Sequence, residues 1–125
     1  MLTNSSDGGS YGNVNISGGK AIDFSAPASG DDMEGVVFYQ DRNAPASSSG
    51  NGITGTADIK LDGTAYFPSR EFTIGGNANS ASDLTDPCSR IIAKTVVLHG
   101  NPRLGNNCDD SAAETIGSAS VSLVQ

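Results

Sequence analysis

Gly63-Thr64-Ala65-Tyr66-Phe67-Pro68-Ser69-Arg70-Glu71-Phe72-Thr73-Ile74-Gly75-Gly76-Asn77 holds two short β-type runs, residues 64–67 and 71–74. Pro68-Ser69-Arg70 separates them and Gly75-Gly76-Asn77 closes the second. Proline has no N–H to donate to a sheet ladder, and Gly-Gly-Asn favours a bend, so each run is expected to end there. Three intervening residues are too few for a helical crossover and suit either a hairpin or a corner.

A corner is favoured because the same pattern recurs. Gly35-Val36-Val37-Phe38-Tyr39-Gln40, Gly63-Thr64-Ala65-Tyr66-Phe67-Pro68, Ser89-Arg90-Ile91-Ile92-Ala93-Lys94 and Ala119-Ser120-Val121-Ser122-Leu123-Val124 read as four versions of one strand. Val36, Ala65, Ile91 and Val121 are then equivalent positions, one repeat step apart. Phe72-Thr73-Ile74-Gly75-Gly76-Asn77 and Val96-Val97-Leu98-His99-Gly100-Asn101 form a second pair at a similar step. Self-similarity at a period of about 20–50 residues marks repeats that bury their apolar faces by stacking on their neighbours. With no helical segment between the runs, the expected fold is all-β, a short parallel β-helix (β-solenoid) of about four coils. The alternative is a β-sandwich, which also has many short strands and turn signals.

Working outward, Val14-Asn15-Ile16 and Ile22-Asp23-Phe24 alternate as half-exposed strands do, with Gly18-Gly19 between them. The continuous run Val36-Val37-Phe38-Tyr39 predicts burial on both sides. Residues 43–52 and 78–87 read as exposed polar loops, and 109–115 as a single helical turn. Residues 1–12 are expected to be a flexible lead-in, and 13–125 one β-solenoid domain.

Leu, Ile, Val and Phe make 25 of the 125 residues and the formal charge is −7, a composition at the border of disorder. Their concentration in short runs argues for a thin core served by small corner residues. Seven dispersed Lys and Arg residues do not make a phosphate-binding surface, so nucleic acid is excluded as the expected partner. No apolar run approaches the ~20 residues of a membrane span. The first six residues lack the basic start and apolar core of a signal peptide, so export would need a targeting segment outside this chain.

Cys88 and Cys108 are separated by a little less than one step of the repeat, which would set them on successive coils at one corner. The spacing matches neither a zinc site nor a Cys-x-x-Cys redox pair, leaving a structural disulfide or two free thiols. A disulfide, the preferred reading, would add about 3 kcal/mol in the chain-entropy model. His99 is the only histidine and sits at a strand end, where a surface or corner role is expected ahead of general-base work. Asp31-Asp32, Asp83, Asp86 and Asp109-Asp110 carry oxygen ligands but match no calcium loop, and solvated carboxylates are expected. No cofactor or metal is expected. A polysaccharide-cleaving β-helix would need two carboxylates on a groove, and Asp58, Asp62 and Glu71 are the candidates. Tyr39, Tyr66 and Phe67 lie inside apolar strands, are expected in the core, and so give no sugar-stacking run. The chain is therefore not expected to be an enzyme.

The ordered series of Val14-Asn15-Ile16-Ser17-Gly18-Gly19, Phe24-Ser25-Ala26-Pro27, Gly35-Val36-Val37-Phe38-Tyr39-Gln40-Asp41-Arg42 and Leu61-Asp62-Gly63-Thr64-Ala65-Tyr66-Phe67-Pro68 is followed by Gly-Asn pairs bracketed by Cys88 and Cys108. It closes on Val121-Ser122-Leu123-Val124. Together, over about residues 13–124, these stretches resemble the C-terminal extracytoplasmic region of TadG-like proteins, which are associated with assembly of bacterial Tad (Flp-type) pili. The resemblance implies an envelope location, with membrane attachment only through segments absent from this chain. It carries no catalytic residues. The expected function is a non-catalytic structural and interaction module with other pilus-assembly or envelope proteins as partners. The alternative is a self-associating filament or surface subunit, joined through terminal coils with Val121, Leu123 and Val124 as the association edge.

Overall fold

The computed structural model describes residues 11–19, 22–46, 50–55, 59–76, 88–102, 104–105 and 108. Six strands follow in order: β1 (Asn15–Gly18), β2 (Ile22–Ser25), β3 (Val36–Tyr39), β4 (Gly52–Gly55), β5 (Ile59–Gly76) and β6 (Ser89–Gly100). There is no helix among the described residues, and the strands join in one curled six-stranded sheet. The all-β class expected from the sequence holds.

Every ladder among the described residues is parallel. β1 pairs with β4 from Asn15 to Gly52, and β2 pairs with the start of β5 from Ile22 to Ile59, at the same sequence offset. β4 pairs with the end of β5 at a much shorter offset, from Gly52 to Thr73. β5 and β6 pair from Gly63 to Ser89 and, past an irregularity, from Glu71 to Thr95. Sandwich sheets are antiparallel, so uniformly parallel pairing corrects the β-sandwich alternative.

The long strand β5 runs through Pro68, which corrects the expectation that residues 64–67 and 71–74 are separate strands. Between Phe67 and Glu71 β5 takes four steps where β6 takes two, from Ala93 to Thr95. Pro68 falls in this slack, where the ladder asks for no N–H and its missing donor costs nothing. The expected corner survives as an irregularity inside one strand.

The core is thin. Val14, Ile53, Leu61, Ala65, Phe67, Phe72 and Ile74 form the buried cluster, with Ile16, Phe24, Val37, Phe38, Ile91 and Ala93 packed against it. Phe67 and Phe72 are fully buried and stack with centroids 4.8 Å apart. Phe24 and Phe38 meet edge to face at 5.2 Å. All four residues of β3 are half-buried, not buried on both sides as expected. The ladder shifts between Val36 and Phe38, and the resulting bulge lets the consecutive side chains Val37 and Phe38 both reach the core.

Tyr39 and Tyr66 belong outside this core, contrary to expectation. Side chains alternate across a strand, so Ala65 and Phe67 face inward while Tyr66 faces the other way. Tyr39 is its ladder partner, and the two rings stack at 5.3 Å on that opposite face, each half-exposed. Within the loop expected at 43–52, Ala44 and Asn51 are buried.

Candidate functional site

The sequence points to three places that could carry function: the cysteine pair, the carboxylates with His99, and the terminal edge. The structure joins Cys88 to Cys108 in a disulfide, with Cα atoms 4.6 Å apart. Cys88 is fully buried, and its N–H donates to Asp62 Oδ1 at 3.2 Å while its carbonyl accepts from Gly63 N at 2.7 Å. Next to it, Ser89 N donates to the Gly105 carbonyl at 3.0 Å and Ser89 Oγ to the Leu61 carbonyl at 2.6 Å. The bridge therefore fastens the chain beyond β6 onto the start of β6, and both onto the first part of β5 at residues 61–63.

Among the described residues the carboxylates do not gather. Asp62 is engaged by the Cys88 backbone. Glu71 lies in the ladder opposite Thr95. Asp58 lies outside the described residues, as do Asp83, Asp86 and Asp109-Asp110. Asp23 pairs with Lys60 at 3.7 Å, both exposed, an ion pair of about 0–1 kcal/mol. Asp31 and Asp32 sit in a tight loop whose backbone closes on itself, with Glu34 N donating to the Asp31 carbonyl and Gly30 N to Glu34 Oε2. Among the described residues no three His, Cys, Asp or Glu side chains come together as a metal site requires. His99 is exposed and its ring lies over Gly75, its ladder partner; a Cβ built on Gly75 would fall 2.0 Å from the ring.

The expected association edge, Val121, Leu123 and Val124, lies outside the described residues, as does the 109–115 segment. A different edge is on view. β1, β4, the end of β5 and the end of β6 stack in register, so that Ile16, Ile53, Ile74 and Leu98 form one column. Ser17, Thr54, Gly75 and His99 form the next, and Gly18, Gly55, Gly76 and Gly100 the one after. The glycine column is dictated by close approach. A Cβ on Gly55 would lie 2.1 Å from the Gly18 carbonyl oxygen, on Gly76 2.1 Å from that of Gly55, and on Gly100 2.4 Å from that of Gly76. The recurring apolar-x-Gly triplets Ile16-Ser17-Gly18, Ile53-Thr54-Gly55, Ile74-Gly75-Gly76 and Leu98-His99-Gly100 carry this column in the sequence.

A cluster of buried polar groups, missed by sequence reasoning, fixes the other end of these strands. Arg70 donates from Nε to the Pro45 carbonyl at 3.1 Å and from a terminal nitrogen to Asn13 Oδ1. Gln40 donates from Nε2 to the Gly12 carbonyl at 2.9 Å, and Asn51 Oδ1 accepts from Val14 N at 3.0 Å. Residues 12–14 are thus tied to three different parts of the chain. Isolated polar residues in a loop-rich sequence give no pattern from which this could be read.

Comparison of the chain with protein-family models, curated proteins and solved structures found no match.

Proposed function

We propose that this chain is a short parallel β-solenoid acting as a non-catalytic structural and interaction module outside the cytoplasm, of the kind associated with Tad-type pilus assembly. The observation that carries the solenoid reading is the order in which the chain visits its ladders. β1, β4, residues 71–76 and residues 95–100 share one strand position; β2 and residues 59–62 share a second; β3, residues 63–67 and residues 89–93 share a third. From residue 15 to residue 76 the described chain visits the three positions in rotation twice and returns to the first, and residues 89–93 and 95–100 add a further strand at the third and first. Parallel pairing of each strand with its equivalent one circuit later is how a β-helix winds.

The disulfide favours an oxidising compartment, because cytosolic thiols are kept reduced. The resemblance to TadG-like proteins supplies the pilus context, and dispersed charge with exposed ion pairing suits a surface that displays and docks. Deleting the domain in its native cell, with surface pilus counts and attachment measured, tests the reading. Loss of pili or attachment is expected; unchanged counts and attachment with the domain absent would overturn it.

A further inference from the structure

We propose that this chain stacks head to tail with further copies of itself, the edge of β6 over residues 95–100 pairing in parallel with the edge of β1 in the next copy, both edges being unpaired among the described residues. The inference rests on the solenoid reading of the fold and is independent of the pilus context.

Three observations converge on these two edges. First, they end the same sheet. Among the described residues β1 pairs with β4 alone, and residues 95–100 of β6 pair with β5 alone. The start of β6, by contrast, already receives the Gly105 carbonyl at Ser89.

Second, the apolar columns stop short at β6. Phe72 and Ile74 are 0% and 4% exposed, whereas their ladder partners Val96 and Leu98 are 43% and 54% exposed. In the register of the sheet, the Leu98 column begins at Ile16, and the Val96 column begins at Val14 and passes through the buried Asn51 before Phe72. A following copy would set Val14 over Val96 and Ile16 over Leu98, covering apolar side chains with apolar side chains.

Third, the glycine column is self-complementary. In each internal step the later glycine is required by the carbonyl oxygen of the earlier one. Gly18, the first rung, has nothing within 4 Å of where its Cβ would be, so its own backbone, at φ 156°, favours glycine there but no neighbouring carbonyl within the chain requires it. Continuing the internal steps, the carbonyl of Gly100, the last described rung, would face the position of a next rung. Gly18 of a second copy meets that demand in the same direction as every internal step.

Pairing different edges makes a heterologous contact, which propagates instead of closing. The formal charge of −7 opposes it, so assembly should strengthen with salt. Going from about 0.01 M to about 0.15 M ionic strength shortens the screening length from roughly 30 Å to roughly 8 Å.

The test uses the full oxidised chain carrying Ser17→Cys and His99→Cys together, treated with a short bis-maleimide after concentration. Both positions are exposed, and within one copy they stand three strand spacings apart, about 14 Å at roughly 4.8 Å each, beyond a short linker. Between stacked copies they become ladder neighbours. The expected result is a series of covalent multimers from the double variant, with neither single variant forming more than traces of dimer. Adding Leu98→Asp, at an exposed position, should raise the concentration needed for multimers about tenfold or more while circular dichroism stays unchanged. Monomers only at all salt concentrations would overturn the proposal, as would dimers from a single variant, which mark a two-fold contact, or multimers indifferent to Leu98→Asp. The Ser17→Cys/Thr54→Cys variant should still cross-link within one copy, and its failure would instead break the solenoid reading.

Discussion

Gly76 lies so close over Gly55 that a Cβ on it would come within 2.1 Å of the Gly55 carbonyl oxygen, and its φ is 80°. Both facts forbid a side chain: the backbone carbonyl cannot move aside without breaking the ladder, and a left-handed φ strains any L-residue. Gly76→Ala should therefore destabilise the fold by about 2–4 kcal/mol, read as a lower urea midpoint.

Gly75 is crowded differently, by the His99 ring and not by backbone. A side chain on a strand end can rotate away. Gly75→Ala should cost about 1 kcal/mol or less, and Gly75→Ala with His99→Ala should recover most of that loss. Equal destabilisation by Gly75→Ala and Gly76→Ala would contradict the geometry.

The two aromatic stacks make a second contrast. Phe67 against Phe72 is the inner one and fully buried, so Phe67→Ala should cost about 3–5 kcal/mol. Tyr39 against Tyr66 is the outer one and half-exposed, and Tyr39→Ala should cost about 0.5–1.5 kcal/mol. Denaturant unfolding of both variants checks the assignment of the two faces.

Replacing both Cys88 and Cys108 by serine removes the loop closure that joins the end of the described chain to the start of β6. The expected loss is about 3 kcal/mol, a large share of the stability of so thin a core. The same shift should follow reduction of the native chain with excess thiol, measured as the drop in urea midpoint.

Arg70 holds residues 12–14 through Asn13 and spans to Pro45. Arg70→Ala should cost about 1.5–3 kcal/mol, the value of a lost hydrogen bond to a charged group. Hydrogen exchange should rise first at Val14, whose N–H is held by Asn51 in the same cluster.

How much of this is legible in the sequence depends on where the repeat is regular. The steps from Ala65 to Ile91 and from Phe72 to Val96 match observed ladders residue for residue. Val36 aligns with Ala65 in the repeat but pairs with Thr64, and past the bulge at Val37 it is Phe38 that pairs with Ala65, an extra residue that periodicity cannot show. β1 and β4 escape the repeat because their offsets, Asn15 to Gly52 and then Gly52 to Thr73, differ too much to suggest a period; loops of unequal length fill the corners. The outward placement of Tyr39 and Tyr66 needs only the alternation from Phe67, which a wholly apolar run obscures. The buried Arg70 cluster depends on three segments meeting in space and leaves no local trace.

The most direct test of the account is a set of interstrand nuclear Overhauser contacts on isotopically labelled, oxidised protein. Parallel ladders predict Hα-to-amide contacts linking the Ile16, Ile53, Ile74 and Leu98 rungs in succession, and linking Ala65 with Ile91. Close Hα–Hα contacts between these segments, the mark of antiparallel neighbours, would contradict it.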